Sequence, residues 1–286
     1  RMIWMIIVLL LFALLLLWFC VEQKLLLLRR KTISLARLPQ QWDGLRILQI
    51  TDLHHRQMGQ DNCRIVRCAQ KEKPDYIVLT GDLVSRDMKD FTSIGRFLQN
   101  LRSVAPVYLC PGNHELDLPP EVQQRLYHTI WESGCKLLSD ETVTLSQTQT
   151  TAPLYLCGAA LSSRIYRDEN HSFRHLEPYP PEKLHQALGT PEGCTILLAH
   201  NPLLLDSYAD WGADLVLCGH MHGGLIRLPF VGGMLSPERR FFPRYDKGLY
   251  QKKNTKMYVS GGIGKPRLGN PPEINLLVLR AKNTAR

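Results

Sequence analysis

The sequence predicts an α/β domain carried behind an apolar N-terminal helix. Three observations lead there. Short runs rich in aliphatic and β-branched residues recur from Leu45 onward, stretches with helical spacing lie between several of them, and Met2 to Val21 is almost wholly apolar and uncharged. The 286 residues are 44% hydrophobic and 21% charged, the balance of a globular chain with a real core. Basic residues outnumber acidic ones, 35 to 26, for a net charge of +9. Such a surface suits anionic partners: phosphorylated molecules, acidic lipid headgroups or nucleic acid. No nucleic-acid-binding motif is present, so a nucleic-acid partner is not expected.

About twenty apolar residues span a bilayer as a helix. The alternative for Met2–Val21 is a cleaved signal peptide, but the run is long for one and no small-x-small site follows it. The expected organisation is a transmembrane anchor over residues 1–23, a basic juxtamembrane connector over 24–44 and a globular domain over 45–286. In the connector, Lys24, Leu25 to Leu28, Arg29, Arg30 and Lys31 are expected to lie along the headgroups, cations in the polar layer. Those four cations exceed the charge at Arg1, so a single-pass protein with its domain facing the cytoplasm is expected.

The apolar runs are LRILQIT (45–51), DYIVLTG (75–81), PVYLCPG (106–112), LYLCGAA (154–160), CTILLAH (194–200), DLVLCGH (214–220), KMYVSGG (256–262) and INLLVL (274–279). Several are apolar on both faces, as strands buried between layers are. Helices are expected over 61–73, stopped by Pro74; over 90–101, where Phe91, Ile94, Phe97, Leu98 and Leu101 share a face; and over 119–133, opened by two prolines. Of the eight cysteines, Cys110, Cys157, Cys194 and Cys218 sit in or beside strands and read as small buried hydrophobes; the absence of a CxxC pair argues against a zinc knuckle and fits a reducing compartment.

Five of the runs end in a metal-ligand type of residue: Asp52-Leu53-His54, Asp82, Asn113-His114, His200-Asn201 and His220-Met221-His222. In open α/β sheets ligands bind beyond the carboxyl ends of the strands. In extended backbone residues i and i+2 point the same way, so Asp52 and His54 can reach one ion together. His220 and His222 can do the same, or divide between two adjacent ions. Gly81, Gly112, Gly219, Gly223 and Gly224 allow tight turns around such a centre. Carboxylate, amide oxygen and imidazole without thiolate suit Mn, Fe or Zn. Seven candidate ligands (Asp52, His54, Asp82, Asn113, His200, His220 and His222) exceed one four-coordinate ion. Two divalent ions about 3.5–4 Å apart are a known arrangement for hydrolysing phosphate esters.

The ordered motifs D-x-H (52–54), G-D (81–82), G-N-H-E (112–115), the lone His200 and G-H-x-H (219–222) resemble those of the calcineurin-like metallophosphoesterases, over roughly residues 45–280. The resemblance implies a four-layer α/β/β/α sandwich of two mixed sheets. It implies Asp52, His54, Asp82 and His222 at one ion, Asp82, Asn113, His200 and His220 at the other with Asp82 bridging, and His114 as the group that protonates the leaving oxygen. The segment GGIGKPRLGNPPEI (261–274) is similar to a membrane-anchored subgroup linked with phosphodiester or pyrophosphate cleavage in lipid-like molecules, including UDP-diacylglucosamine. Some relatives carry an Arg in the segment matching VSGGIG; here Lys265 or Arg267 would have to replace it. The expected function is therefore a membrane-anchored dimetal phosphohydrolase acting on a lipid-linked or amphiphilic substrate. A phosphoprotein or phosphomonoester phosphatase, and a non-catalytic metal-bound scaffold at the membrane, are the alternatives.

Other residues read more plainly. His55 faces away from His54; His128, His171, His175 and His185 fall outside the motifs; Met221 packs; Asn201 serves a turn before Pro202. Glu115 either orients His114, or starts a helix or pairs with a surface cation. Gly261 to Gly264 either cradle phosphate or form a turn. Arg239-Arg240 with Phe241 and Phe242 either rest on a membrane or hold an acyl chain, or form a solvated loop.

Overall fold

The computed structural model describes residues 1–146, 152–167, 177–228, 230–236 and 241–282. His171, His175, Arg239 and Arg240 lie outside them. In chain order the main elements are α1 (Met2–Lys24), β1 (Leu27–Leu35), β2 (Arg46–Ile50), α2 (Cys63–Glu72), β3 (Tyr76–Thr80), α3 (Thr92–Arg102), β4 (Val107–Cys110), α4 (Asn113–Leu116), α5 (Pro120–Glu132), β5 (Lys136–Leu137), β6 (Glu141–Leu145) and β7 (Leu154–Gly158). They continue with α6 (Pro181–Leu188), β8 (Cys194–Leu198), α7 (Leu205–Trp211), β9 (Leu215–Cys218), β10 (Arg227–Leu228), β11 (Gly232–Gly233), β12 (Gly248–Lys252), β13 (Thr255–Val259) and β14 (Glu273–Ala281).

Two six-stranded mixed sheets carry the fold, in the orders β1-β14-β2-β3-β4-β5 and β12-β13-β9-β8-β7-β6. Strand alternation assigns each side chain to a layer. In β3, Tyr76 and Val78 face the other sheet, while Ile77 and Leu79 face α2, α3 and α5. In β9, Leu215 and Leu217 meet the first sheet, while Val216 and Cys218 join the cluster under α6 and α7. The four layers are helix, sheet, sheet, helix. The middle strands β2, β3 and β4 run parallel, as do β7, β8, β9 and β13, so each sheet gathers its carboxyl ends on one edge.

The three expected helices form within a residue or two of their predicted spans, for the predicted reasons. Pro120 opens α5 at the position where a missing N–H is harmless. Lys73, left-handed, closes α2 just before Pro74. On α3, Ile94, Phe97, Leu98 and Leu101 are buried.

The connector differs from expectation. Residues 27–35 form β1, which pairs in parallel with β14 over nine positions from Leu27↔Glu273 to Leu35↔Ala281. Two of the four cations expected among headgroups take protein partners: Arg30 Nη2 lies 2.6 Å from Glu72 and Arg29 Nε 3.6 Å from Glu273. A leucine run followed by three cations, read as an interfacial strip, serves as an edge strand once a partner strand is available. All eight cysteines are free thiols, and Cys110, Cys135, Cys157, Cys194 and Cys218 are buried.

Helix α1 has 23 residues, mean hydropathy 3.0 and no burial of its apolar window, so it is long and apolar enough to cross a membrane. At 1.5 Å per residue it measures about 34 Å, against about 30 Å of hydrocarbon core. Its C-terminal end is held by the globular part. Glu22 accepts from Gly269 N–H at 2.9 Å, Arg56 donates to the Gln23 carbonyl at 2.7 Å, and Arg64 donates to the Lys24 carbonyl at 2.8 Å.

Candidate metal centre

All seven expected ligands and His114 lie on the shared edge, just past β2, β3, β4, β8 and β9, and all are buried. The first sheet contributes Asp52, His54, Asp82, Asn113 and His114; the second contributes His200, His220 and His222. Asp52, His54 and His222 present ligand atoms within 4.8 Å of one another, as do Asp52, Asp82 and His200, and also His54, Asp82 and His114. His200 Nε2 is 3.3 Å and His54 Nε2 3.7 Å from Asp82 Oδ2, and His222 Nδ1 is 3.9 Å from Asp52 Oδ1.

The geometry that brings them together is not strand alternation. Asp52, His54, Asp82, His220 and His222 all have φ between +51° and +70°. Non-glycine residues rarely adopt this region, and those that do cluster at functional sites. The chain is forced into it by mutual hooks: Asp52 N–H donates to the Gly81 carbonyl and His54 N–H to the Asp82 carbonyl, both at 3.1 Å. His114 N–H donates to Asp82 Oδ1 at 2.9 Å, and His220 N–H donates across the sheets to Asp52 Oδ2 at 3.1 Å. Crowding explains the glycines. At Gly81, φ +86°, a Cβ would sit 2.5 Å from His200 Nδ1, and at Gly219 it would strike Thr51 and Asp52.

Six buried polar atoms here have no hydrogen-bond partner: both ring nitrogens of His54, Asn113 Oδ1, His114 Nδ1, His200 Nε2 and His222 Nδ1. Buried polar atoms are almost always paired, so six orphans around two carboxylates fit cations. His200 makes the point sharply. Its Nδ1 meets the Thr80 carbonyl at 2.7 Å and so carries the proton, which turns the Nε2 lone pair toward a carboxylate. A second-sphere carbonyl of this kind orients a metal-binding imidazole. Two acceptors face each other only if a proton or a cation stands between them.

Protonation follows. Burial disfavours both carboxylates; at Asp82 the charges of His200, His114 and His54 outweigh it and hold the carboxyl well below the usual range. At Asp52 burial prevails and the pKa rises to about 6. Burial likewise lowers His54 to about 4 and His114 to about 2, assisted in each case by Arg86 and Lys265. His200 moves the other way despite its burial, to about 9, because Asp82 holds its proton.

Further residues contribute. Of the roles open to Glu115, the structure shows the helix start: it sits in the first turn of α4 and its carboxylate accepts from the Gly112 N–H at 2.7 Å, and also from the backbone N–H groups of Asp82 at 2.9 Å and Val84 at 3.0 Å, pinning the β3 and β4 loops. Arg86 Nη1 lies 2.6 Å from His114 Nε2, and its Nε donates to Asp117 at 2.6 Å. Tyr166 packs edge-on against His220, ring centroids 4.8 Å apart. Arg267 is buried and donates to the carbonyls of His222, Gly261 and Gly262, so it braces two loops and faces no ligand. Lys265, exposed beside Gly264 and His54, remains the cation at this rim. His55 forms an exposed pair with Asp87 at 2.7 Å, Met221 is core, and Asn201 accepts from Leu203 N–H in a turn.

The family model for calcineurin-like phosphoesterases matches residues 45–224. The chain is 28% identical to "Phosphodiesterase YaeI" of Escherichia coli over 73% of this chain and 72% of that one. It is 25% identical to "UDP-2,3-diacylglucosamine pyrophosphatase LpxG" of Chlamydia muridarum, over 84% and 86%. A "Transmembrane protein with metallophosphoesterase domain" of Danio rerio is 27% identical over 87% of this chain and 56% of its own length.

Proposed function

The chain belongs to the calcineurin-like phosphoesterase family and is a metal-dependent phosphoesterase; from that premise we propose that it is a membrane-anchored enzyme that cleaves a phosphodiester or pyrophosphate bond in a lipid-linked or amphiphilic substrate. The observation that carries the chemistry is the buried cluster of two carboxylates and their orphaned imidazole nitrogens. Asp52, His54, Asp82 and His222 would hold one divalent ion, and Asp82, Asn113, His200 and His220 the other, with Mn, Fe or Zn suited to the donor set. When bound, such ions supply charge neutralisation and Lewis acidity toward water and phosphoryl oxygens.

The protein's own residues do the rest. Arg86 donates to His114 Nε2, so this imidazole is neutral. A phosphoryl group brought between them competes for the guanidinium, and its negative charge raises the imidazole pKa. His114 then holds a proton within reach of the departing oxygen, a contribution of roughly 10²–10⁴-fold. Lys265 and Arg86 flank the mouth and favour an anionic substrate. The anchor α1 supports residence beside a membrane pool of substrate, with the domain on the cytoplasmic side. The relatives printed as a phosphodiesterase and as a pyrophosphatase acting on UDP-2,3-diacylglucosamine support the bond type and the amphiphilic substrate class.

The test uses the full chain in detergent with added Mn, Fe or Zn. Bis-p-nitrophenyl phosphate should be hydrolysed only with metal, and a nucleotide-linked lipid pyrophosphate should be preferred over phosphopeptides. Preference for phosphopeptides would overturn the substrate class.

A further inference from the structure

Single exposed apolar side chains are ordinary on a protein surface; clusters mark contacts. Among the described residues from β1 onward, seven large apolar side chains face solvent, and six of them fall between Ile226 and Phe242. They are Ile226, Leu228, Phe230, Val231, Phe241 and Phe242, with Phe230 completely exposed. The seventh, Trp131, is on α5.

These residues stand on a small scaffold. The antiparallel pair β10–β11 puts Phe230 and Val231 at its turn, and Phe242 N–H donates to the Met234 carbonyl at 2.9 Å, clipping the second aromatic pair alongside. The scaffold is placed against the anchor. A groove of about 750 Å³ is lined on one side by Trp18, Glu22 and Leu25 and on the other by Leu228, Phe230, Val231 and Phe242. Six residues separate Trp18 from Lys24, about 9 Å along the helix. Interfacial elements sink about 5–10 Å into the headgroup–acyl boundary. The patch is therefore level with the last two turns of α1, at the depth such elements reach. Exposed Arg244 stands next to it, a cation for the headgroup layer.

We propose that the β10–β11 turn and Phe241–Phe242 form a second membrane-contacting surface that inserts into the acyl boundary beside the anchor, its occupant being the lipid bilayer. This rests on α1 crossing the bilayer. Insertion at two places fixes tilt as well as distance. Phe241 and Phe242 also line a cavity of about 480 Å³ that reaches Asn201 and Met221, which adjoin His200, His220 and His222 in sequence.

The experiment places benzoylphenylalanine at Leu10, Phe230, Phe242 or Trp131, one site at a time, in the full chain reconstituted into phosphatidylcholine–phosphatidylglycerol vesicles. After irradiation, covalent lipid adducts are read by mass spectrometry. Adducts at Leu10, Phe230 and Phe242 with none at Trp131 are expected. Adducts at Leu10 but none at Phe230 or Phe242 would overturn the second contact and leave the anchor standing. Crosslinks from Phe230 to another copy of the chain would overturn it in favour of a protein interface. No lipid adduct even at Leu10 would overturn the anchor and this surface with it.

Discussion

The two sheet ends that meet at the candidate metal centre are unlike. The first sheet brings both carboxylates, Asp52 and Asp82, and a third buried acid, Glu115, that pins their loops. The second brings only imidazoles, His200, His220 and His222. One side supplies negative charge, the other nitrogen donors that place it. Neither is a cation site alone: burial, with a smaller push from neighbouring Asp82, raises Asp52 to about 6, and the three imidazoles bring no negative charge to attract a metal. The asymmetry orders the expected effects of substitution.

Asp82→Ala should have the largest effect. His54, His114 and His200 each place a ring nitrogen within 3.8 Å of this carboxylate, so both ions should be lost and hydrolysis should fall to background. Elemental analysis of the purified variant checks it; two retained metals would sink the bridging role. His114→Ala comes next, with turnover lower by about 10²–10⁴-fold and metal content unchanged, since its work is with the proton. A variant that lost metal instead would move His114 into the ligand set.

His220→Ala removes one nitrogen donor from the second sheet. Metal affinity should fall by at least about 10–100-fold, the loss seen when a group that merely orients a ligand is removed. Excess Mn should restore most of the rate. An effect as large and as irreversible as that of Asp82→Ala would break the asymmetry.

Glu115→Gln tests the pinning of the first sheet's loops. An amide cannot accept from three N–H groups as a carboxylate does, and stability should drop by about 2–3 kcal/mol in thermal or urea unfolding. The smallest effect is reserved for His55→Ala. Next to a ligand in sequence, but exposed and paired only with Asp87, it should change stability by no more than about 0.5 kcal/mol and leave activity alone.

Much of the centre was legible before any coordinates. Apolar runs that stop at Asp, Asn or His mark strands whose carboxyl ends share an edge, and five such stops in one order identify the family. The fold class follows from the same runs. Two features were not legible for a common reason: each depends on a partner far along the chain. The strip 27–35 becomes a strand only because β14, some 240 residues later, offers an open edge. Glu115, open to several roles, and Arg267, read as a possible replacement for a relative's arginine, find their actual partners only when the loops whose backbone groups they satisfy fold around them.

The sequence by itself determined which residue types end the strands, hence the chemistry open to the site, and it determined an apolar N-terminal helix. Only the tertiary structure decided the conformation that makes those ends converge. Periodicity predicts extended backbone for Asp52–His54 and His220–His222, yet the ligands there are left-handed. That conformation is unfavourable locally and persists because hydrogen bonds to the carbonyls of Gly81 and Asp82 and to the carboxylate of Asp52, reaching between strands and across the two sheets, outweigh the strain.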